Sequence, residues 1–232
     1  MRVRVATAAV GLTAVTVFAL PACSTDTTET KPASTPAARS EKPAAAGRND
    51  APLSSAALET RLLDESDLGA SYTRKPERPA QHDDVTVLGC PALNDLGGDA
   101  AAGGSLDFPR KAKVSFSYTD GSNSEVTEEL YSDTVTRLSE GTGRIFEAMT
   151  GCPEYQVLVG GTAIDMATQE VAAPQLGDEQ WSQLLTFSVG GRDTVVKQTA
   201  IRDGNALLIV SGSPALVDLH LGKAHAKATA AR

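Results

Sequence analysis

The fold is decided by the segment 181-WSQLLTFSVGGRDTVVKQTAIRDGNALLIVS-211, in which Gly190-Gly191 and Asp203-Gly204 separate three runs of strand-forming residues. Gly-Gly and Asp-Gly pairs supply the positive φ angles of type I′ hairpin turns. In the first run, large apolar residues mostly alternate with smaller or polar ones, which predicts a strand with one buried face. The last run, residues 206–210, is apolar on both faces and predicts a central strand. The segment therefore predicts an antiparallel meander.

The same meander begins with one hairpin earlier in the chain, and a separate hairpin precedes it. Residues 155–159 and 162–166 flank a Gly-Gly pair, and residues 111–118 and 125–131 form a second pair of runs, less cleanly patterned in the return strand. Each pattern predicts two antiparallel strands joined by a turn. Residues 72–109 show no regular period and predict an irregular stretch with a loop.

Helices flank these strands. The clearest begins at Asp133 and carries apolar residues at helical spacing, while Gly141 and Gly143 inside it either allow close approach of a neighbouring element or mark a break. A first helix follows Ser54 and ends near Gly69.

A last helix begins at Pro214. The spacing of Leu216, Leu219 and Lys223 places them on one face, and the small, basic tail of residues 224–232 is expected to fray. Because hairpins, not crossover helices, join neighbouring strands, the order of elements predicts an α+β fold. We expect a mainly antiparallel sheet with helices packed on it, as a single domain over residues 53–232.

The N-terminus carries an export signal. Arg2 and Arg4 precede a run of apolar and small residues, 5–20, that is shorter than the roughly 20 residues of a membrane-spanning helix. Residues 1–22 are therefore predicted to be a signal peptide that a peptidase removes.

The cleavage site predicts lipidation at Cys23. Leu20-Pro21-Ala22-Cys23 is similar to the bacterial lipobox, although Pro21 is an unusual occupant. Plain secretion is the alternative, but it prefers a small residue where Leu20 stands. A lipidated Cys23 would anchor the protein to the outer face of the cytoplasmic membrane, so that it is extracellular without crossing the bilayer.

Residues 23–52 are predicted to be the lipidated N-terminus and a disordered tether. From Ser24 to Pro52 there is no aromatic or large aliphatic residue, so the segment cannot bury enough apolar surface to offset the cost of ordering. The functional interpretation is a spacer; a cleavable or functionless low-complexity stretch is the alternative. Its Ser, Thr and Pro content also suits O-glycosylation.

Charge excludes one class of partner. The chain has 21 basic and 29 acidic side chains, a net charge of −8, and loss of Arg2 and Arg4 makes this about −10. Since no basic stripe interrupts the acidic character, we expect no nucleic-acid partner. Attachment to the membrane is left to the lipid anchor.

Three cysteines in an exported chain leave one over unless it has another role. With Cys23 lipidated, Cys90 and Cys152 are expected to form a disulfide in an oxidising compartment. The alternative, a reactive thiol, requires a basic or histidine environment that neither Gly-Cys-Pro sequence provides.

No catalytic residue, metal site or cofactor is predicted. His82 beside two aspartates is better explained as a solvated run than as a metal site, because three successive residues rarely converge on one ion. His220 and His225 are five apart on a helix and cannot share a ligand on one face. No serine-hydrolase elbow or zinc-protease motif occurs in the sequence.

Other polar and aromatic residues leave alternatives open. Asp64, Glu65 and Asp67 suit a solvated helix surface better than an acid–base pair. Tyr131 and Trp181 are candidate ligand-cleft residues, with a place in the core as the alternative for each.

The order and spacing of these features resemble the PknH-like extracellular sensor domain found on actinobacterial kinases and small actinobacterial lipoproteins. The opening from Leu62-Leu63 to Gly69, Cys90, the helix ending in 149-MTGC-152 and the hairpins of residues 181–210 before a helix carry the resemblance. It implies a cleft for an unidentified extracellular ligand and no known chemistry. Members of that family often have two disulfides, whereas the two cysteines of this domain allow one.

Three functions remain open from the sequence. The first is a non-catalytic ligand-binding or sensor-like lipoprotein, whose ligand is an unknown small molecule, lipid or envelope protein and whose cleft is expected to be apolar with few titrating residues. The second is a cell-surface enzyme acting on envelope polymer or lipid, which a nucleophile beside one of the histidines would favour. The third is a protein-docking module that uses an exposed sheet edge beside residues 205–211.

Overall fold

A computed structural model describes residues 51–77, 85–97, 106–119 and 124–230. These residues form an α+β domain with one antiparallel sheet of nine strands, as the sequence predicts. The strands are β1 (Tyr72–Arg74), β2 (Val85–Leu88), β3 (Lys111–Tyr118), β4 (Glu125–Ser132), β5 (Glu154–Val159), β6 (Thr162–Glu170), β7 (Glu179–Val189), β8 (Arg192–Asp203) and β9 (Ala206–Gly212).

The sheet order is β1-β3-β4-β9-β8-β7-β6-β5-β2. Five consecutive strands, β5 to β9, form the predicted meander, and β9 then pairs with β4 so that the first hairpin joins the same sheet. Gly190, Gly191 and Gly204 have φ angles of 57°, 77° and 57°, as their turns require.

The position of β9 confirms one prediction and contradicts another. Its residues Ala206 to Val210 are all buried between β4 and β8, which confirms a central strand. Since β9 has neighbours on both sides, the docking hypothesis based on an exposed edge there is wrong. The sheet edges are the short strands β1 and β2. Both lie within residues 72–109, which were predicted to be irregular.

Helices cover both faces of the sheet. They are α1 (Ser55–Glu59), α2 (Glu65–Leu68), α3 (Pro91–Leu96), α4 (Val135–Gly151) and α5 (Pro214–Thr229). Residues of α1 and α5 share one core with strands β3, β4, β8 and β9, whereas α3 and α4 pack against the opposite face.

The predicted single first helix is two short helices. Asp64 caps α2, since its side chain accepts hydrogen bonds from the backbone N–H groups of Ser66 and Asp67. The side chain of Asp67 in turn accepts a hydrogen bond from the N–H of Asp64. This capping box begins a new helix where the predicted one would continue. Leu62 and Leu63 are buried at the junction.

The structure shows which face of α5 is buried and corrects the predicted end of the helix. Leu219 is 68% exposed and Lys223 is exposed, while the buried stripe is Leu216, Val217, His220, Leu221, Ala224 and Ala228. Because Ala224 and Ala228 are buried against the sheet, the helix continues to Thr229 and does not fray after residue 224.

Helix α4 is continuous, so its glycines do not mark a break. A Cβ atom at Gly141 would lie 2.9 Å from Cζ of Phe108, whereas one at Gly143 would meet nothing within 4 Å. Gly141 therefore allows a close approach, although by a loop side chain and not by a strand or helix.

The predicted disulfide joins Cys90 and Cys152, with Cα atoms 5.8 Å apart. It links the start of α3 to the end of α4, and both sulfur-bearing residues pack into the core beneath these helices.

Several predictions lie outside the described residues: the signal peptide, Cys23, most of the tether and His82. Within the described part of the chain, no helix is both long and apolar enough to cross a bilayer.

Candidate functional site

An open cleft of about 900 Å³ lies between α4 and the strands β6 and β7. Its wall consists of seven residues of α4, four at the end of β6 and just beyond it, and three at the start of β7. They are Ser139, Glu140, Gly143, Arg144, Phe146, Glu147, Thr150, Glu170, Val171, Ala172, Ala173, Gln180, Trp181 and Ser182.

The helical wall follows from the period of α4. Glu140, Gly143, Arg144 and Glu147 recur at three- and four-residue steps and so share a face. The adjoining face, which includes Leu138, is buried against the sheet. Because Gly143 has no side chain, the centre of the helical wall stays open.

The opposite wall forms where the chain leaves the sheet. Strand β6 ends at Glu170 and β7 begins at Glu179, so residues 171–178 form a connection beside the cleft. The N–H of Val171 donates to the carbonyl of Ser182 over 3.0 Å, which holds the start of this connection against β7.

An ion cluster fixes the start of β7. The Arg202 guanidinium lies 3.0 Å from a carboxylate oxygen of Glu179 and 3.1 Å from one of Asp178, and the Ser139 hydroxyl donates to Glu179 over 3.1 Å. The hydrogen bond with Arg202 lowers the pKa of Glu179, and the same bond raises the pKa of Arg202. The cluster therefore ties β7 and β8 to the wall of α4.

The floor of the cleft is aromatic. Trp181 is half-buried, and its ring centroid lies 6.1 Å from that of Phe146 at an interplanar angle of 32°. Trp181 thus lines this cleft and also packs against the core, so it takes part in both of the environments that the sequence left open.

Tyr131 lies elsewhere, so the prediction that it lines a cleft with Trp181 needs correction. Its side chain is 1% exposed, and its hydroxyl donates to a carboxylate oxygen of Glu129 and accepts from the N–H of Leu106 over 2.9 Å. The ring meets Phe108 edge-on. These contacts satisfy the hydroxyl of Tyr131 inside the core. A place in the core is the alternative that the sequence left open for this residue.

The wall carries four charged side chains, so the expectation of few titrating groups is wrong. Glu140, Glu147 and Glu170 are exposed, and Arg144 is the cationic residue of the described lining. The three members on α4, Glu140, Arg144 and Glu147, follow an i, i+4, i+7 pattern that is visible in the sequence. The proximity of Glu170 is not visible there, because it depends on how residues 171–178 leave the sheet.

Two buried polar atoms, one on β7 and one on α4, have no hydrogen-bond partner in the described structure. Gln183 follows Trp181 by two residues on β7 and therefore shares its face. Its amide nitrogen donates to Gln198 over 2.9 Å and contacts the Met149 sulfur at 3.2 Å. The amide oxygen of Gln183 and the hydroxyl of Thr142 are buried without a hydrogen-bond partner in the described structure.

The histidines lie away from the cleft. Nε2 of His220 on α5 lies 2.6 Å from the hydroxyl of Tyr72 on β1, and both residues are 7% exposed. Burial lowers the pKa of His220. His225 lies 3.5 Å from a carboxylate oxygen of Asp203. A hydroxyl is thus within reach of His220, but neither residue of that pair lines the cleft.

The acidic residues near Gly69 serve structural roles. Asp64 caps α2, and the Lys227 ammonium lies 2.9 Å from one of its carboxylate oxygens and also pairs with Asp67. Hydrogen bonds from Ser66 and Lys227 lower the pKa of Asp64. Within the described ranges, no group of three or more histidine, cysteine, aspartate or glutamate side chains is placed to hold a metal ion.

Comparison with solved structures identifies the fold class. The chain is similar to the extracellular domain of PknH from Mycobacterium tuberculosis, with a TM-score of 0.55 and 13% identity, over 78% of this chain and 96% of that one. An uncharacterized protein from Mycobacterium smegmatis aligns with a TM-score of 0.40 and 12% identity, over 72% of this chain and 93% of that one. No protein-family model and no curated protein matches the sequence.

At this identity, the likeness to the PknH domain shows a shared fold and nothing finer. It supports the resemblance drawn from the sequence at the level of architecture.

Proposed function

We propose that this protein is an exported lipoprotein whose domain binds a ligand in the cleft between α4 and β7 without catalysing a reaction. The observation that carries the proposal is the open cleft of about 900 Å³ with Trp181 and Phe146 at its floor. Small-molecule sites are usually clefts of about this size in which aromatic surface and convergent polar groups meet.

The composition of the wall favours binding over catalysis. The described lining residues include no histidine, cysteine or lysine, and the lining hydroxyl of Ser182 bonds to Thr199 over 2.8 Å. A nucleophile needs a neighbouring base or a lowered pKa to be activated. The His220–Tyr72 pair offers little surface to a substrate, since both residues are 7% exposed.

The proposed cellular location comes from the sequence. Lipidation of Cys23 after removal of residues 1–22 would hold the domain on the outer face of the cytoplasmic membrane, with residues 24–52 as a spacer. The partners proposed are the membrane, through that lipid, and a small molecule, lipid or envelope protein in the cleft. The extracellular domain of PknH shares this fold, and the disulfide suits an oxidising compartment, so both agree with this location.

Native mass spectrometry of the full-length protein purified from its own membrane tests both parts. A denatured sample measures the acyl mass on Cys23, and a native sample measures any retained ligand. We expect a diacylated or triacylated N-terminus at Cys23 and an additional mass that denaturation releases. A Cys23→Ser variant, which keeps the described domain unchanged, should lose the acyl mass and leave the membrane fraction.

Two results would contradict the proposal separately. An N-terminus that is neither acylated nor begins at Cys23 would overturn the anchor. Turnover of envelope polymer or lipid by the purified protein, abolished by substitutions in the cleft, would replace the binding function with a catalytic one.

A further inference from the structure

The charge and hydrogen-bonding capacity of the cleft are unbalanced. Three carboxylates, Glu140, Glu147 and Glu170, face one guanidinium, that of Arg144. Among the described residues, none of these four side chains has a hydrogen bond or an ion pair. A ligand therefore meets a wall whose described side chains carry a net charge of −2.

Aromatic surface lies next to these carboxylates. Trp181 is half-buried in the floor, with Phe146 beside it at 6.1 Å between ring centroids. The face of a tryptophan ring attracts ammonium and guanidinium groups, because the ring's quadrupole is negative there. Carboxylates at the rim and an aromatic floor favour the same sign of ligand charge.

From these observations we propose that the cleft binds an organic cation, a quaternary ammonium or amine group attached to an apolar body. The cationic group lies over Trp181 between the carboxylates of Glu140, Glu147 and Glu170, and the apolar body contacts Val171 and Ala173. The inference rests on the proposed binding function and specifies its ligand class.

The test uses benzyltrimethylammonium as the cation and phenylmethanesulfonate as an anion of similar size. Trp181 is the single tryptophan of the chain, so intrinsic fluorescence reports directly on the cleft. We expect the cation to change this fluorescence saturably and to bind about tenfold or more tightly than the anion, with weaker binding as salt rises.

A charge-matched pair of variants separates the cleft from general electrostatics. Glu140→Gln, Glu147→Gln and Glu170→Gln together remove three negative charges from the wall. The control variant removes three exposed acids that do not line the cleft, Glu59→Gln, Asp95→Asn and Glu154→Gln. Only the first variant should weaken cation binding, by about tenfold, while both keep the wild-type melting temperature within a few degrees.

A further variant tests the aromatic floor. Trp181→Leu should lower the affinity for benzyltrimethylammonium by about fivefold when measured by calorimetry, since the ring supplies attraction beyond apolar contact. A circular dichroism spectrum equal to that of the wild type shows that the variant is folded.

Three outcomes would overturn the inference. They are equal or tighter binding of the anion, equal weakening in both charge variants, and no response to the cation. The first, or recovery of a neutral or anionic molecule by native mass spectrometry, would leave the binding function intact and remove only the ligand class. A cleft that retains no native ligand and responds to neither probe would remove both.

Discussion

Two helices of nearly equal length cover opposite faces of the same sheet with different results. The 16-residue α5 seals its face, whereas the 17-residue α4 leaves a cleft beside it. Helix α5 packs through small residues, Ala224 and Ala228, which let its backbone approach the sheet closely. Helix α4 stands beside the point where β6 ends and the chain leaves the sheet. The cleft therefore arises where β6 ends, because that strand does not continue under α4.

Buried polar groups lie under both helices. On the α5 face, Glu128 is 2% exposed, and one of its carboxylate oxygens accepts from the N–H of Leu63 over 2.7 Å. This bond ties the junction of α1 and α2 to β4, while the other carboxylate oxygen of Glu128 has no hydrogen-bond partner in the described structure. On the α4 face, Gln183 and Thr142 each keep a polar atom without a partner there. The two faces therefore differ in the presence of the cleft and not in how fully their buried polar groups are satisfied.

Removal of the disulfide should have the largest effect, because it anchors the end of α4 beside the cleft. We expect Cys90→Ser with Cys152→Ser to lower the free energy of unfolding by about 4 kcal/mol, given the separation of 62 residues between the cysteines. Denaturant unfolding measures this. Reduced wild-type protein should behave like the double variant, and an unchanged midpoint in either would contradict the structural role of the bond.

The second effect concerns Glu128 on the sealed face. Burial raises its pKa from an ordinary 4.5 to about 7, partly opposed by the hydrogen bond from Leu63 and the charge of Lys227. A raised pKa for an acid means that the folded state binds the proton more tightly. The stabilisation that this proton gives to the folded state is therefore complete below about pH 4.5 and is lost as the pH rises through about 7.

The loss corresponds to about 3 kcal/mol, measured as the difference between wild type and Glu128→Gln across this range. The variant should be the more stable protein at pH 8 and should lack this part of the pH slope. The neighbouring Asp64 has a lowered pKa, so its contribution falls outside the range. Parallel pH profiles for the two proteins would contradict the assignment.

A pair of glycine substitutions in α4 should produce the smallest effects, of opposite sign. Gly143→Ala should raise the free energy of unfolding by about 1 kcal/mol, because alanine favours a helix and its Cβ meets nothing within 4 Å. Gly141→Ala should lower it by about 1 kcal/mol, because its Cβ would lie 2.9 Å from the Phe108 ring. Shifts of the same sign in thermal unfolding would contradict the packing described for Phe108.

The sequence predicted those parts of the molecule that local pattern controls. The Gly-Gly and Asp-Gly turns, the run of α4 and the Cys90–Cys152 pair were all readable, because each depends on residues close in the chain or on simple pairing. The short edge strands were missed, since β1 and β2 owe their extended form to pairing with β3 and β5.

Other features depend on tertiary contacts. The buried face of α5 was not predicted, because Leu219 fits a helical period yet is 68% exposed, whereas the small residues Ala224 and Ala228 are buried against the sheet. Tyr131 was assigned to a cleft because an aromatic strand residue suits either a core or a site, and only the positions of Glu129 and Leu106 decide between them. The acidic wall depends on the path of residues 171–178, which no local pattern specifies.

The most direct test of the cleft as a ligand site uses one glycine from each of the two helices. Gly143 in α4 lines the cleft, Gly222 in α5 does not, and a Cβ atom at either would meet nothing within 4 Å. Gly143→Phe and Gly222→Phe, purified from their own membranes, are compared with wild type by native mass spectrometry. We predict that the retained ligand mass is present in wild type and Gly222→Phe and absent in Gly143→Phe. Equal retention by both folded variants would place the ligand elsewhere and contradict the account.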